Sequence, residues 1–371
     1  MNIYPVADNI ISPMGFDTDQ NFNTAMAGGT GIKAIEDNTI SPNAFYGAKI
    51  NNAPELSQFT FLENLFIKSI SDGLGQVGGL DMSRTILVVS STKGNIDLMD
   101  AKKAKLFGNR IELHAMAQAI SDHFGFRHSP VVVSNACISG VSAMLTAQNL
   151  IQMGQYDHAI VTGGDILSEF TVSGFQSLMA ISDEPCTPYD ANRKGITLGE
   201  AVGTILISNN KNTGQPTVEM MGGGQSNDAN HISGPSRTGE GLKLAVEKSF
   251  KQAGVNASDI DYINAHGTAT LYNDEMEAVA FDRLDLLKVP TNSLKGYFGH
   301  TLGAAGIIES IMTIKQLVAG QLLVSKGFDE LGVTKPLNVV KKQQALVNAR
   351  LALKTVSGFG GCNAAIIFKK L

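Results

Sequence analysis

Short apolar runs alternate along the chain with longer stretches in which apolar residues recur at helical spacing. Runs of β-branched residues predict buried strands at residues 84–92 (RTILVVSST) and 157–165 (DHAIVTGGD). Apolar residues spaced by three and four predict helices that begin at Phe59 and over 104–126. Strand, helix and strand alternate here, which predicts a parallel sheet with helices on its faces. Residues 1 to 55 predict only a first strand followed by irregular structure.

A second series of elements follows a connector at residues 211–216. Helical spacing predicts helices over 239–254, 273–284 and 304–320, and apolar runs predict strands at 217–221, 261–265, 289–293 and in a terminal segment that ends at 366–368. A turn and helix near residue 300 parallel a turn and helix near residue 137. We therefore expect two similar halves, 1–210 and 211–371.

The stretch at 131–154, VVVSNACISGVSAMLTAQNLIQMG, places a cysteine where a strand turns into a helix. Three valines predict the strand, and the small residues from Ser139 to Ala143 open the helix. Cys137 would then lie beside unpaired N–H groups at the positive end of a helix dipole, which stabilises a thiolate. We expect the pKa of Cys137 to fall below its usual value of about 8.5. The alternative is a small buried apolar residue.

The composition of the chain limits which kinds of partner and which cellular compartment are expected. The chain has 371 residues, 43% hydrophobic and 17% charged, which suits two globular domains or one duplicated unit with a large core. The net charge of -5 and the absence of a basic run favour neither nucleic acid nor a membrane surface as a partner. Its three cysteines form no CxxC pair, which predicts no zinc site and a reducing compartment.

The beginning of the chain argues for a soluble cytoplasmic protein. Pro5 and Asp8 interrupt the apolar run that a signal peptide would need. No later segment offers 18 apolar residues in a row, so we expect no membrane span.

Two histidines of the second half stand at glycine-rich turns. His266 lies in NAHGTAT directly after an apolar strand, and His300 lies in SLKGYFGHTLGAAG directly before a helix. Both should project from the ends of elements, where active-site groups are commonly mounted. A cysteine with one histidine would also suit a hydrolase, in which the histidine is the general base.

Four motifs, in order, resemble those of the β-ketoacyl-acyl-carrier-protein synthases, in the two-histidine class of the thiolase superfamily. The resemblance covers most of the chain from residue 131 onward. The motifs are TPYDANRKGITLGEA, HGTAT from His266 with Asp274 and Glu277 after it, SLKGYFGHTLGAAGIIES with Lys295, His300 and Glu309, and SGFGGCNA at 357–364.

This resemblance implies a five-layered αβαβα fold of two duplicated halves and a decarboxylative Claisen condensation. An acyl group would move from a carrier thiol to Cys137, and a malonyl thioester on acyl carrier protein would lose CO2 and attack it. Neutral His266 and His300 would stabilise the enolate oxygen. The resemblance implies no metal or dissociable cofactor, because the phosphopantetheine arm arrives on the carrier protein.

The family also implies roles for groups around these three. The backbone N–H groups of Cys137 and Phe359 would form an oxyanion hole, and the Phe359 ring would gate the pocket. Lys295 and Glu309 would form a buried ion pair that sets the orientation and charge state of His300.

Further positions match the substrate side of the family's site. Thr268 and Thr270 match residues that hydrogen-bond the phosphopantetheine arm, and Phe175 matches a residue that lines the acyl pocket. Asp274 and Glu277 would support the first histidine motif. Ser357 stands where the family often has phenylalanine, and NACISG departs from the usual cysteine motif. Acyl-chain length, and fatty acid or polyketide-like synthesis, therefore stay open.

The family implies a homodimer, with a heterodimer with a related subunit as the other possibility. We expect pairing through the short apolar strand at 159–162, taken as a sheet edge whose unpaired backbone groups need a partner. Two other functions are open. One is a thiolase acting on coenzyme A esters, with Cys362 as its second cysteine, and the other is a non-catalytic chain-length partner, although such partners usually lose the nucleophile.

Overall fold

The computed structural model describes residues 1–52, 56–228 and 234–371. Its helices within these ranges are α1 Thr18–Met26, α2 Phe61–Leu74, α3 Ala101–Phe107, α4 Leu113–Phe124, α5 Ser139–Gln152, α6 Glu169–Ser177, α7 Glu240–Ala253, α8 Leu271–Arg283, α9 Lys295–Phe298 and α10 Ala305–Ala319. The strands there are β1 Tyr4–Ile11, β2 Ile32–Ile35, β3 Phe45–Ala48, β4 Thr85–Ser90, β5 Val131–Val133, β6 His158–Asp165, β7 Leu198–Gly199, β8 Ala201–Ser208, β9 Val218–Asn227, β10 Tyr262–Asn264, β11 Thr291–Asn292, β12 Gln321–Leu322, β13 Gln344–Ala345, β14 Leu351–Gly358 and β15 Cys362–Lys370.

Two five-stranded sheets have the same internal topology. The first has the order β1-β8-β6-β4-β5 and the second the order β9-β15-β14-β10-β11. In each sheet the first two neighbouring pairs are antiparallel and the last two are parallel. Taken in chain order, the strands correspond one to one, as a duplicated unit requires. The predicted parallel pairing is confirmed for β4, β5 and β6, whereas β8 runs antiparallel to both of its neighbours, β1 and β6, so the sheet as a whole is mixed.

The two sheets are separated by helices and covered by helices, which makes five layers. α5 and α10 pack between the sheets, since α5 contacts β4, β6 and β15 while α10 contacts β8 and β14. α2 covers the outer face of the first sheet, and α7 covers that of the second. The predicted αβαβα fold is confirmed, and the helices of its central layer carry the chemistry at their N-terminal ends.

The strand that was expected to form a sheet edge lies inside the sheet. β6 pairs with β4 on one side and with β8 on the other, so the backbone of 159–162 has both partners. The prediction that this strand pairs across a dimer axis was wrong. The free edge beside β4 belongs instead to β5, whose three valines are only half-buried.

Two helical regions also differ from the prediction. Residues 104–126 form part of two helices, α3 and α4, which are separated at Gly108, a glycine with φ of 61°. The N-terminal region contains α1, which begins at the side-chain cap of Asp17. Polar residues dominate α1, so its apolar spacing is too weak to reveal it.

The most apolar helix belongs to the core. By length and composition, residues 302–319 could cross a membrane, but 83% of this stretch is buried inside the fold. In the described part of the chain it is the one helix of that kind. Its burial between two sheets is that of a central core helix.

Candidate active site

Cys137 lies in a strained turn between β5 and α5. Ala136, just before it, has φ of 44°, a left-handed conformation that is uncommon for any residue other than glycine. The Ser139 side chain holds this turn, because its hydroxyl donates to the Ala136 carbonyl at 2.6 Å and accepts from the Asn135 N–H at 2.8 Å. The turn therefore fixes the cysteine at the N-terminal end of the central helix.

Glycines bring the two central helices into direct backbone contact. A Cβ on Gly140 of α5 would lie 2.8 Å from the backbone nitrogen of Ile307 on α10. A Cβ on Gly306 would lie 2.4 Å from the backbone nitrogen of Val141. Only glycine fits at both positions, and this close approach carries the His300 loop, before α10, to the Cys137 turn.

Cys137, His266 and His300 meet at one end of a cleft. The cysteine sulfur and one ring nitrogen of each histidine all lie within 4.8 Å of one another, and all three residues are buried. The two imidazole rings are 5.1 Å apart and nearly perpendicular. The cleft has a volume of about 430 Å³, and Phe175, Thr268, Thr270 and Phe359 also line it.

The proton of His300 is placed by the backbone. The Leu302 N–H donates to His300 Nδ1 at 3.1 Å, so Nδ1 must be the unprotonated nitrogen of a neutral ring. Nε2 then carries the proton and is the hydrogen-bond donor. A short bond from the His300 N–H to the Thr197 carbonyl, 2.6 Å, fixes the backbone of the same residue.

Lys295 contacts His266, whereas the sequence predicted that it would act on His300. Its ammonium lies 3.4 Å from His266 Nδ1 and donates to the His266 carbonyl at 3.1 Å. An ammonium group can only donate, so Nδ1 accepts and Nε2 of His266 carries the proton. The predicted ion pair with Glu309 is present and fully buried. Helix α9 turns Lys295 away from the contact that sequence proximity had suggested.

Burial and nearby cations keep both imidazoles neutral. Burial lowers the pKa of His266 and of His300 well below 6.5, and the Lys295 ammonium lowers both further. Two neutral rings with protonated Nε2 atoms can donate hydrogen bonds to one developing oxyanion.

The pKa of Cys137 moves in the direction opposite to the prediction. Burial raises it to about 11, and this outweighs the lowering by Lys295 and by the backbone N–H groups of Phe359 and Cys137. The prediction that the helix dipole gives a depressed pKa was wrong, because the thiol is only 7% exposed and its ion would lose nearly all its water. Cys137 is therefore a thiol at neutral pH, and the backbone N–H groups of Phe359 and Cys137 lie close enough to act on its sulfur.

Two buried carboxylates hold the loop that carries His266. Glu277 accepts from the N–H groups of His266 at 2.8 Å and Gly267 at 2.7 Å. Asp274 accepts from the Thr268 N–H at 2.9 Å. Burial raises the pKa of both acids, that of Glu277 to about 7. The supporting positions inferred from the motif thus lie directly behind the histidine turn.

The aromatic and hydroxyl side chains named from the resemblance all line the cleft. The rings of Phe175 and Phe359 are 5.6 Å apart and tilted by 31°. The hydroxyls of Thr268 and Thr270 are 2.9 Å apart. Ser357 also lines the cleft, where its hydroxyl donates to Asn363 Oδ1 at 2.8 Å. The phenylalanines form an apolar wall, and the threonines a polar one.

Three further groups were missed by the sequence reasoning. Tyr189 has φ of 67° and donates from its hydroxyl to Glu277 Oε2 at 3.0 Å. Asp165 accepts from the Gly303 N–H at 2.7 Å and so ties the start of α10 to the end of β6. Lys354 lies 2.7 Å from Glu309. A lysine inside the apolar strand LALKTVSG was a usable signal, because such a position normally holds a hydrophobic residue.

Comparison with known families gives two adjoining matches. Residues 71–212 match the family described as beta-ketoacyl synthase, N-terminal domain, and residues 218–329 match beta-ketoacyl synthase, C-terminal domain. A Saccharomyces cerevisiae protein named 3-oxoacyl-[acyl-carrier-protein] synthase homolog is 30% identical over 88% of this chain and 76% of its own length. 3-oxoacyl-[acyl-carrier-protein] synthase 2 of Vibrio cholerae is 27% identical over 98% of this chain and 97% of its own.

The fold is shared with solved ketosynthases. One is a ketosynthase from Xenorhabdus doucetiae, determined in complex with its chain length factor, with a TM-score of 0.90. The two are 24% identical, and the comparison covers 100% of this chain and 98% of that one. At this identity the likeness concerns the fold alone.

Proposed function

The chain belongs to the beta-ketoacyl synthase family of acyl-transferring condensing enzymes, and on that premise we propose that it joins an acyl group held on Cys137 to a malonyl unit delivered by acyl carrier protein. The observation that carries this proposal is that Nδ1 of each histidine faces a hydrogen-bond donor, which leaves both Nε2 atoms to carry protons beside one cysteine. A hydrolase needs one histidine that accepts a proton from its nucleophile. Here both histidines are arranged as donors.

The first half-reaction moves the acyl group. The Cys137 sulfur attacks the thioester carbon of the acyl carrier, the new C–S bond replaces the old one, and the thiol proton leaves with the departing carrier thiol. Negative charge on the thioester oxygen is stabilised by the N–H groups of Cys137 and Phe359. The raised pKa of Cys137 keeps the thiol protonated until an acyl carrier arrives.

The second half-reaction forms the carbon–carbon bond. The malonyl thioester loses CO2, and its bonding electrons form an enolate whose oxygen accepts hydrogen bonds from His266 and His300. The enolate carbon then attacks the acyl carbon on Cys137 and displaces the sulfur. One proton is taken up to restore the thiol.

A direct test follows both half-reactions separately. Acyl carrier protein loaded with an acyl chain should add that chain's mass to the protein at Cys137. Malonyl carrier protein should then release CO2 in step with ketoacyl product. An enzyme that acylates but never releases CO2 would contradict the proposal, as would release of CO2 with no new carbon–carbon bond.

The thiolase alternative finds no support at Cys362. Cys362 is not among the described residues that line the cleft. Its sulfur lies 3.3 Å from the Phe359 carbonyl. Burial, and then the nearby Cys137, raise its pKa to about 12.

The Phe359 ring is expected to control the order of loading. Gly360 and Gly361 after it have φ of 83° and 76°, so the loop depends on glycine conformations. Phe359→Ala keeps the backbone donor and removes the ring, so malonyl units should lose CO2 before Cys137 is acylated. The ratio of CO2 to ketoacyl product should rise well above one.

Phe175→Ala is the matched control for this prediction. It removes the partner ring on α6 and leaves the loop of Phe359 unchanged. If the ratio stays near one in Phe359→Ala, or rises equally in both variants, then the ring only packs and does not gate.

We also propose a dimer that pairs through the edge strand β5. Among the described strands β5 pairs with β4 alone, and its valines are half-buried. The segment between β4 and β5 contains α3, in which no residue is buried and Leu106 is 77% exposed. A second copy of the chain, related by a two-fold axis, would cover such a surface.

Val132→Lys is expected to turn the dimer into a monomer at micromolar concentration. An edge lysine opposes strand pairing, while its stem keeps the local packing. Sedimentation velocity should give twice the 39.3 kDa chain mass for the parent protein and for Val132→Thr. A parent protein that sediments as a monomer, or a Val132→Lys protein that stays dimeric, would contradict this interface. If the partner is instead a related subunit, a dimer should form only after that subunit is mixed with this protein.

The proposed location is the cytoplasm. The three cysteines are unpaired and buried, which suits a reducing compartment. Fractionation of source cells with an antibody would test it. We propose no metal or dissociable cofactor, so activity should survive exhaustive chelation.

A further inference from the structure

Lys354 is a buried cation that the reaction as described does not use. It lies in the middle of β14, the central strand of the second sheet, and is completely buried. Its neighbours on the same face of the strand, Ala352 and Val356, belong to the main hydrophobic core. A charged group at such a position is costly unless it is paired, so its partner identifies its role.

The partner of Lys354 is the carboxylate that holds Lys295. Lys354 Nζ lies 2.7 Å from Glu309 Oε2, and it also donates to the Thr355 carbonyl at 2.8 Å. The other oxygen of Glu309 binds Lys295, whose ammonium contacts His266. One buried carboxylate therefore joins two ammonium groups, and this triad has a net positive charge.

Lys354 also lies beside the strand from which the His266 loop emerges. Its backbone is in register with Asn264 of β10, two residues before His266. The groups that act on its charge come from several elements: Glu309 from α10, Lys295 from α9 and Glu277 from α8. Two of these are acids, and both lie behind the histidines.

We propose that Lys354 is a positioning residue of the active site. It fixes the Glu309 carboxylate so that Lys295 stays against His266 Nδ1, and it provides the second positive charge that keeps both imidazoles neutral and able to donate. It acts through Glu309 and Lys295 and does not touch substrate. The effect on the protonation of the two histidines does not depend on the proposed condensation, whereas the effect on the rate of decarboxylation rests on it.

The charges in the triad support this role. Burial lowers the pKa of Lys354 to about 8, against the attraction of Glu309, so the ammonium form predominates at neutral pH. Burial alone would raise the pKa of Glu309, but Lys295 and Lys354 hold it below the usual value. Lys354 is also among the charges that lower the pKa values of His266 and His300.

Loss of the Lys354 charge raises the pKa of both imidazoles, so a larger fraction is protonated at a given pH. Removal of one buried charge that acts on both rings is expected to shift each titration by about one pH unit. Lys354→Met should therefore move the acidic limb of malonyl decarboxylation about one unit toward alkaline pH, while the rate on the plateau above it is largely retained.

The decisive measurement is a titration that needs no activity. Ring-¹⁵N histidine spectra of the whole protein, assigned with His266→Gln and His300→Gln, should show the two rings neutral at the lowest pH at which the parent protein stays folded. In Lys354→Met both rings should take up a proton about one unit higher. Lys354→Gln serves if the methionine variant does not fold, and Lys369→Met, a half-buried lysine of the adjacent strand, is the control.

Two results would overturn the inference. One is a folded Lys354→Met or Lys354→Gln protein whose histidines titrate as in the parent. The other is a uniform loss of decarboxylation at every pH with the limb unmoved, which describes a purely structural residue. If the histidine titrations shift but even the parent protein releases no CO2, the proposed function fails and the role of Lys354 stands.

Discussion

Replacement of Cys137 by alanine is expected to abolish condensation, with a loss on the order of 10⁴-fold or more, because Cys137 is the one thiol among the described residues that line the cleft. The lost volume is small, so the fold should persist. Intact-mass spectrometry should show no acyl adduct on the Cys137→Ala protein.

Cys186→Ala is the matched control for this substitution. Cys186 is buried like Cys137, and it lies in a small separate apolar cluster with Ile32 and Ala48. This variant should acylate and condense as the parent protein does. A Cys137→Ala protein that still forms ketoacyl product would show that the nucleophile is elsewhere.

Removal of either histidine is expected to slow decarboxylation roughly 10²–10³-fold, as loss of one oxyanion donor does in other enzymes. His300→Ala and His266→Ala each remove one protonated Nε2, whereas the thiol and its two backbone donors remain. Acylation of Cys137 should therefore survive in both variants. Stopped assays of CO2 release and of the acyl adduct separate the two half-reactions.

Glutamine tests whether donation is what matters. His300→Gln and His266→Gln place an amide N–H close to the position of Nε2, so each should recover part of the rate that alanine loses. His158→Ala controls for the loss of a histidine outside the cleft, where its ring contacts the Ser208 hydroxyl. Equal losses of acylation and decarboxylation would indicate instead a general base that acts on the thiol.

The elements that carry the reaction were predictable because their signals are local. Three valines followed by small residues indicate a strand that turns into a helix, and this pattern placed Cys137 just before the N-terminal end of α5. Glycines around His266 and His300 indicated turns at the ends of elements. The identities of the reacting groups therefore follow from short stretches of chain, and the structure brings them together in one cleft.

Partners between distant parts of the chain could not be predicted in the same way. Lys295 is five residues from His300 but contacts His266, because α9 turns its side chain toward the other loop. The strand at 159–162 has the composition of a short edge strand, yet it pairs with residues 204–207 of β8, far along the chain. Pairing of strands depends on the whole topology, which spacing along the chain does not encode.

The titration of Cys137 shows the same limit in energetic terms. Its sequence position gives a helix N-terminus, which favours a thiolate. The depth of burial, which opposes the thiolate more strongly, depends on the packing of α10 and of the loop of Phe359 against the cysteine turn. Local sequence shows that the helix N-terminus lowers the pKa of Cys137, but it does not show whether burial raises that pKa by more.

The glycine contact between α5 and α10 makes catalysis a property of the join between the halves. Gly140 and Gly306 set the separation of the two helices. Cys137 lies before α5 on one side of this contact, and His300 lies before α10 on the other. A part-unfolded chain in which one half persists would contain every local motif and still have no reaction centre. Heat inactivation of this enzyme should consequently coincide with separation of its halves, and turnover reports whether the duplicated architecture is intact.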